Sequence, residues 1–148
     1  MSEHKIKLAW KRTTPNFDYN TYNRDHTWEF DNGLKVSASA AVEYKGNPAC
    51  VDPEETLVAA IAGCHMLTFL AIASKKGYVV DQYADSPVGI LENDSEGIMR
   101  VTRATLKPKI TFSGGKKPGA EDLKKLHEKA HEHCFIANSV RTQITVET

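Results

Sequence analysis

The first third of the chain alternates apolar and polar residues with the two-residue repeat of a β-strand. Three segments show this pattern: KIKLAW (5–10), HTWEF (26–30) and GLKVSASAAVEY (33–44). The tripeptide DNG at 31–33 separates the second and third segments and predicts a tight hairpin turn. The polar and aromatic stretch RTTPNFDYNTYNRD (12–25) predicts a long loop. We therefore expect three strands, with a long loop between the first two.

A long helix is predicted to begin after Asp52. Asp52 is a suitable N-cap, Pro53 suits the first helical position, and Glu55 completes a D-x-x-E capping box. Two lysines followed by Gly77 indicate where the helix ends. Its interior is apolar nearly all round. Because a helix without a polar face must be covered on every side, a partner subunit is a reasonable inference.

The remaining segments predict a mixed fold. YVVDQY (78–83) and the alternating run MRVTRATLKPKITF (99–112) predict two or three strands, and apolar residues at helical spacing predict a second helix over 119–133. SVRTQITVE (139–147) predicts a closing strand. The order β-β-β, α, β-β, α, β is typical of an α+β domain, and we expect a single domain over residues 1–148.

Composition and charge narrow the classes of function. The chain is 26% charged and 41% apolar, which is typical of a soluble globular protein. Nineteen basic residues balance nineteen acidic ones, so nothing attracts nucleic acid or an anionic membrane over long range. The N-terminus has no signal-peptide pattern, and the 17-residue apolar stretch 57–73 is shorter than a membrane span. We expect a cytoplasmic protein that binds neither nucleic acid nor membranes.

Three cysteines without a secretory signal make a disulfide scaffold unexpected. In a reducing compartment, Cys50, Cys64 and Cys134 are inert core residues, metal ligands or reactive thiols. Cys64 lies in the middle of the first predicted helix among small residues, and Cys134 lies where the second helix is predicted to end. If these helices pack together, their thiols can meet and cycle to a disulfide.

The pentapeptide HEKAH (127–131) matches the zinc-protease pattern H-E-x-x-H. His127, Glu128 and His131 supply two ligands and a general base, but Glu147 is the only acidic candidate downstream for the third ligand. A solvated helix that happens to carry these residues is the plainer interpretation. A non-catalytic metal site is a further alternative, because thiolate and imidazole suit zinc. Its ligands would be Cys64, His65, His131 and Cys134.

Two segments carry a resemblance to a known family. DPEETLVAAIAGCHMLTFL (52–70) resembles the active-site helix of the OsmC/Ohr family (osmotically inducible protein C and organic hydroperoxide resistance protein), in which a turn of the N-P-E type precedes a small-residue helix with a peroxidatic cysteine. AHEHCFIANSV (130–140) resembles the family segment with the resolving cysteine. The order of the elements fits as well, and the resemblance covers nearly the whole chain. On this basis the H-E-x-x-H match is coincidental.

The resemblance implies an OsmC-like fold, with antiparallel sheets packed around a long buried helix that bears the cysteine, in an intertwined homodimer. It implies a thiol peroxidase that reduces organic hydroperoxides to alcohols without a metal or another cofactor. Cys64 would form a sulfenic acid and Cys134 would convert it to a disulfide. An external dithiol, which in the Ohr branch is a lipoylated protein, would then reduce that disulfide.

The family also uses an arginine oriented by a glutamate to favour the reactive thiolate. By position these correspond to Arg24 and Glu54. Glu54 and Cys64 are ten residues apart, about 15 Å along one straight helix, so they would share a site only if an antiparallel partner helix brings them together. The plainer interpretations are that Arg24 pairs with Asp25 in a loop and that Glu54 favours the helix dipole.

Two departures from the family pattern bear on activity. Phe135 stands where the family commonly has proline, and His65 follows Cys64 in a sequence, GCHML, that differs from the usual A-C-F. We expect His65 to pack in the core and Cys50, outside both motifs, to be structural. Two alternatives therefore remain, a non-enzymatic ligand-binding protein of the same fold and a Cys/His metal-binding protein.

Overall fold

The computed structural model describes all 148 residues and groups them into two compact units, residues 1–56 and 57–148. We call them the N-terminal unit and the C-terminal unit. The first helix begins in one and continues in the other. The expectation of a single domain over residues 1–148 stays a prediction.

The N-terminal unit holds a three-stranded antiparallel sheet in the order β1-β2-β3. The DNG turn forms as predicted: Gly33 has φ +83°, and its N–H donates to the Phe30 carbonyl at 2.8 Å. Glycine suits this position because a positive φ is costly for other residues. The strands span Ile6–Ala9 (β1), His26–Phe30 (β2) and Lys35–Ala38 (β3).

The third strand is shorter than the alternating pattern predicts. It ends at Ala38, and Val42–Tyr44 forms a single turn of 3-10 helix instead. The cause is Ser39, whose hydroxyl donates to the Asp25 carboxylate at 2.9 Å and accepts from the Asn47 N–H at 3.1 Å. These two bonds fold the chain back, and a β-ladder cannot continue through such a turn.

The first helix, α1, spans Pro53–Lys75. Its capping box forms: the Asp52 carboxylate accepts from the Glu55 N–H at 2.7 Å, and the Glu55 carboxylate accepts from the Asp52 N–H at 3.5 Å. After the helix, Gly77 has φ +78° and its N–H donates to the Ser74 carbonyl at 2.9 Å. The start and end of α1 therefore follow from local sequence signals.

One face of α1 is buried and the opposite face is exposed. The buried residues recur every three or four positions: Val58, Ile61, His65, Phe69 and Ala73. Leu67 on the other face is 65% exposed. By length and composition alone α1 could cross a membrane, but a core helix of a soluble protein passes the same test. The predicted cover on every side is thus absent in the single chain.

The C-terminal unit holds two sheets and the second helix. One sheet pairs two antiparallel strands and the other has three strands, of which β6 and β8 run parallel, unlike the all-antiparallel arrangement expected. Four strands lie between α1 and α2, where two or three were predicted. The elements are β4 (Val79–Ala84), β5 (Val88–Asn93), β6 (Met99–Leu106), β7 (Lys109–Ser113), α2 (Ala120–Glu132) and β8 (Gln143–Val146).

The core of the C-terminal unit forms on the buried face of α1. Phe69 and Ala73 pack against Leu126 and Ala130 of α2, and Ile61 packs in a second cluster that includes Leu106. Burying one side chain of the size of Phe69 or Leu126 stabilises the fold by about 1.5–3 kcal/mol. This packing sets α1 and α2 side by side, and both predicted thiols lie on that pair.

Candidate functional site

Cys64 lies in the middle of α1 and is partly buried. Its carbonyl accepts a hydrogen bond from the Thr68 hydroxyl at 2.8 Å, one turn further along the helix. The preceding residue, Gly63, faces open space, because a Cβ added there would meet nothing within 4 Å. The helix surface next to Cys64 is therefore open at Gly63 in the single chain.

Cys134 follows the end of α2 and is fully buried. Its N–H donates to the His131 carbonyl at 3.3 Å, which extends the last turn of the helix to the cysteine. Its sulfur accepts from the Ala137 N–H at 3.4 Å, and its carbonyl accepts from the Asn138 N–H at 3.0 Å. The short 3-10 turn Ala137–Ser139 therefore holds this cysteine in place without the proline that the family pattern has next to it.

The structure brings the two thiols together. Burial raises the pKa of the Cys134 thiol, and a side-chain hydrogen bond with Cys64 raises it further, as expected when the S–H of Cys134 is the donor. Both cysteines are free thiols. The contact joins the middle of α1 to the end of α2, and such proximity is a precondition for a reversible disulfide between these residues.

A second contact between the same two helices was not anticipated. His65, next to Cys64, and His127 of α2 have only 1% and 4% of their surfaces exposed. The Nε2 atom of His65 and the Nδ1 atom of His127 are 3.0 Å apart, and the rings stack nearly parallel with centroids 5.3 Å apart. Burial lowers the pKa of each residue from 6.5 to about 4, so both imidazoles are neutral at pH 7.

The histidine pair accounts for the H-E-x-x-H match. The Nδ1 atom of His127 is bonded to His65, while Glu128 and His131 are exposed on the helix surface. Glu147, the candidate third ligand, pairs with Lys107 at 3.7 Å instead. The zinc-protease arrangement is not formed, because the first histidine is bonded to His65 and the candidate third ligand is paired with Lys107.

The alternative metal site is not formed either. It required Cys64, His65, His131 and Cys134 to converge, but the thiols interact with each other and His65 bonds to His127. No group of three or more His, Cys, Asp or Glu side chains in the chain is arranged to hold a metal ion. The donor atoms that suit zinc are divided between two separate pairs.

Arg24 lies in the long loop before β2, in the N-terminal unit. Its guanidinium stacks on the ring of Tyr22, 3.8 Å from the centroid, and donates to the carbonyls of Tyr19 and Tyr22 at 2.5 Å each. It does not pair with Asp25, which accepts from Ser39 and from Asn47 instead. The interpretation of Arg24 as the partner of Asp25 is therefore wrong.

A cavity of about 350 Å³ lies beside Arg24. Three aromatic rings on one side of it contact each other: Phe17 and Tyr22 have centroids 4.9 Å apart, and Trp10 and Phe17 have centroids 5.8 Å apart. The remaining lining includes the start of α1. The cavity is lined by Trp10, Phe17, Tyr22, Arg24, His26, Ser39, Ala40 and Pro53. We call it the aromatic cavity, and its one permanent charge is the Arg24 guanidinium.

Glu54 lies in the first turn of α1 and is partly buried. No ion pair joins Glu54 to Arg24 or to another base within the chain, although the neighbouring Pro53 lines the same cavity as Arg24. Cys50, also in the N-terminal unit, is partly buried and free. The predicted roles of Arg24 and Glu54 stay predictions.

The family model of the OsmC-like proteins matches residues 46–148. The chain belongs to the OsmC-like family. An OsmC-like protein of unknown function from Vibrio cholerae is 49% identical, with a TM-score of 0.95 over 99% of each chain. The resemblance stated from the sequence is confirmed, and so is the mixed α+β fold.

More distant OsmC-like structures share the fold. An organic hydroperoxide resistance protein OsmC from Legionella pneumophila is 18% identical, with a TM-score of 0.74 over 100% of this chain and 98% of that chain. The organic hydroperoxide resistance protein OhrB of Bacillus subtilis is also 18% identical, with a TM-score of 0.70 over 99% and 97%. No curated protein matches this chain. At such identities the likeness shows the fold alone.

Proposed function

We propose that the protein is a cysteine-based peroxidase that reduces organic hydroperoxides in the peroxide-stress response. The observation that carries the proposal is the direct interaction of the Cys64 and Cys134 thiols across α1 and α2. Membership of the OsmC-like family and the names of the Legionella and Bacillus proteins support the choice of substrate. A pair of free thiols in contact suits two-electron chemistry that ends in a disulfide.

The first step forms an S–O bond and breaks an O–O bond. The Cys64 thiolate attacks the distal oxygen of the hydroperoxide, and the alkoxide takes up a proton and leaves as the alcohol. Cys64 becomes a sulfenic acid, oxidised by two electrons. Gly63, next to Cys64 on α1, faces open space in the single chain, which supports such an approach.

The second step forms the disulfide. The sulfur of Cys134 attacks the sulfur of the Cys64 sulfenic acid, the S–O bond breaks, and the Cys134 proton and the leaving hydroxide form water. Burial keeps Cys134 protonated until this step, which makes Cys64 the sulfur that reacts with peroxide. An external dithiol, such as that of a lipoylated protein in a reducing cytoplasm, then supplies two electrons and two protons to restore both thiols.

Arg24 and the aromatic cavity supply the binding part of the proposal. The rings of Trp10, Phe17 and Tyr22 suit the apolar group of an organic hydroperoxide, and the guanidinium stabilises negative charge on sulfur and on the departing oxygen. Glu54 orients this arginine in the proposal. Within one chain Glu54 is about 15 Å along α1 from Cys64, so the complete site requires a second copy of the chain.

A homodimer through the exposed face of α1 would meet this requirement. Leu67 on that face is 65% exposed, and its neighbours there are small and apolar. We expect a dimer in analytical ultracentrifugation and a monomer with little peroxidase activity after Leu67→Asp. A fully active monomer would contradict the shared site.

The test of the function is a single-turnover reaction. Reduced protein receives one equivalent of cumene hydroperoxide, and intact mass and peptide mapping follow the thiols. We expect a Cys64–Cys134 disulfide in the wild type and a trapped sulfenic acid on Cys64 in Cys134→Ser. Cys50→Ser is the matched control, because Cys50 takes no part in the proposed cycle.

A second function is supported by the aromatic cavity alone. A volume of about 350 Å³ with apolar walls and one cation suits a small apolar anion as well as a hydroperoxide. A non-enzymatic carrier of such a ligand would bind it saturably while both thiols survive peroxide treatment. The single-turnover reaction therefore separates the two functions.

A further inference from the structure

The buried histidines connect the same two helices that carry the thiols. His65 is the residue after Cys64 on α1, and His127 lies about two helical turns before Cys134 on α2. The two helices therefore touch at two polar contacts, one between thiols and one between imidazoles. The proposed catalytic cycle uses only the first contact.

The other contacts between α1 and α2 are apolar. Phe69 and Ala73 pack against Leu126 and Ala130, and the Phe69 ring also stacks on His127 with centroids 4.5 Å apart. Apolar packing of this kind has no preferred direction, so it constrains the sliding of one helix along another only weakly. A buried hydrogen bond depends on distance and on angle, so it sets the register of the two helices more sharply.

The hydrogen bond between His65 and His127 leaves other polar atoms buried, which costs free energy. In the neutral pair one ring donates and the other accepts, and this leaves His65 Nδ1 and His127 Nε2 buried without a partner in the chain. Two apolar side chains of similar size would fill the same space without these unpaired atoms. Because apolar packing would avoid this cost, the hydrogen bond is better explained by a role in positioning the helices than by a contribution to stability.

We propose that the hydrogen bond between His65 and His127 positions Cys64 against Cys134, so that protonation of the pair disfavours the disulfide. The inference rests on the proposed thiol chemistry, because it concerns the contact that the second step uses. His65 and His127 are positioning residues here and do not touch the reacting atoms.

The surroundings of the pair explain why it responds to pH. The charges that act on His65 besides its partner are those of His131 on α2 and Asp85 just after β4. Tyr83 on β4 packs against the Phe69 ring, on which His127 also stacks. The Asp85 charge favours a proton on His65 and His131 disfavours it, while burial, the largest effect, also disfavours it. Tyr83 is neutral, because burial and the Asp85 charge raise its pKa.

No carboxylate is bonded to either imidazole. Asp85 has one oxygen that accepts from the Lys107 N–H. Glu128 lines a second cavity, of about 320 Å³, together with His127, and is 4.0 Å from Lys124. A proton taken up by the pair thus places charge among Phe69 and its apolar neighbours. That charge is relieved when the helices separate enough to admit water, which also separates the thiols.

The test uses variants that keep or remove the bond. In His65→Gln with His127→Asn, the amides stand where Nε2 of His65 and Nδ1 of His127 now lie, so the bond remains but does not titrate. His127→Phe keeps a ring against Phe69 and removes the bond. His4→Asn, at an exposed histidine, is the control for the loss of one titratable imidazole.

The measurement is the equilibrium between the Cys64–Cys134 disulfide and a glutathione redox buffer, with a selenol catalyst, from pH 7 to pH 4, where the pair takes up its proton. The glutathione thiol stays protonated below pH 7, and the difference between the wild type and the Gln/Asn variant isolates the contribution of the histidine pair. We expect His127→Phe to lower the equilibrium constant about tenfold at pH 7, the effect of one lost buried hydrogen bond. We expect the wild-type equilibrium constant to decrease as the pH is lowered. In the Gln/Asn variant we expect a constant at pH 7 close to that of the wild type, without the decrease at low pH.

Two results would overturn the inference: an unchanged constant in His127→Phe, or the same acid dependence in the Gln/Asn variant as in the wild type. If His127→Phe fails to fold, the pH profile of the Gln/Asn variant still decides. Because the glutathione equilibrium needs no hydroperoxide, the inference survives a failure of the peroxidase test. A disulfide that never forms in the wild type would end both.

Discussion

The aromatic cavity and the contact between α1 and α2 treat charge in opposite ways. The cavity is partly exposed and holds a permanent cation, Arg24, stacked on Tyr22. The helix contact is buried, and burial keeps His65, His127 and Cys134 neutral at pH 7. In the proposed function, the first region binds the hydroperoxide and the second holds the reactive thiols. Charge is retained where water or an aromatic face stabilises it.

The largest effect is expected from removing the reactive sulfur itself. Cys64→Ser should abolish turnover of cumene hydroperoxide, because serine has no sulfur and cannot supply the thiolate that attacks the peroxide bond. Alcohol production in a coupled assay is the measurement. Cys50→Ser should retain wild-type turnover, and residual turnover in Cys64→Ser above that of the buffer would contradict the assignment.

Removing the cation of the aromatic cavity should have the next largest effect. Arg24→Ala should slow sulfenic acid formation by about 10²–10³, which is typical for the loss of one electrostatic contact to a developing charge. Stopped-flow measurement of Cys64 oxidation in a Cys134→Ser background isolates this step. Arg12→Ala is the matched control, since Arg12 bonds to carbonyls of the same loop and does not line the cavity. Equal rates in the two variants would show that Arg24 only orders the loop.

The neutral imidazoles predict how stability depends on pH. Their folded-state pKa is about 4 against 6.5 unfolded, so the unfolded chain binds more protons between these values. The contribution of the neutral imidazoles to the free energy of unfolding is therefore fully present above pH 6.5. It decreases below pH 6.5, by up to about 1.4 kcal/mol per pH unit for each histidine.

Urea titrations from pH 7.5 to pH 4.5 measure this loss. The Gln/Asn variant should lose less stability over the same range, because its buried amides do not titrate. An identical loss in both proteins would assign the acid sensitivity to other groups.

The smallest effect is expected from trimming the wall of the aromatic cavity. Phe17→Ala removes one ring that is 68% exposed in the free chain, so the expected loss is about 1 kcal/mol of binding to cumene hydroperoxide, or roughly fivefold in KM. tert-Butyl hydroperoxide should be affected less, because it is smaller. A change of kcat alone would contradict a binding role for this ring.

Local signals predicted much of the fold. The capping box of Asp52 and Glu55, the turn at Gly33 and the stop at Gly77 each depend on neighbours within a few residues, and each forms as expected. Strand β5 escaped prediction because Gly89 and Pro87 interrupt its apolar pattern. The parallel pairing of β6 with β8 escaped prediction because it joins strands about 40 residues apart, which no local pattern encodes.

In the candidate site too, some features follow from local sequence and others depend on contacts between distant residues. Cys64 and Cys134 are identified by two motifs, whereas their contact depends on the packing of the two helices, which from the sequence was only a condition. The bond between His65 and His127 spans 62 residues and was missed. His127 had been assigned to an H-E-x-x-H motif and His65 to plain core packing. Only the register of α1 against α2 joins them, and no local sequence pattern encodes that register.

The most direct test of the account is the single-turnover titration with cumene hydroperoxide. One equivalent should consume two thiols per chain, and peptide mapping should find Cys64 joined to Cys134 while Cys50 remains reduced. The account is contradicted if both thiols survive many equivalents, or if the only disulfide formed contains Cys50.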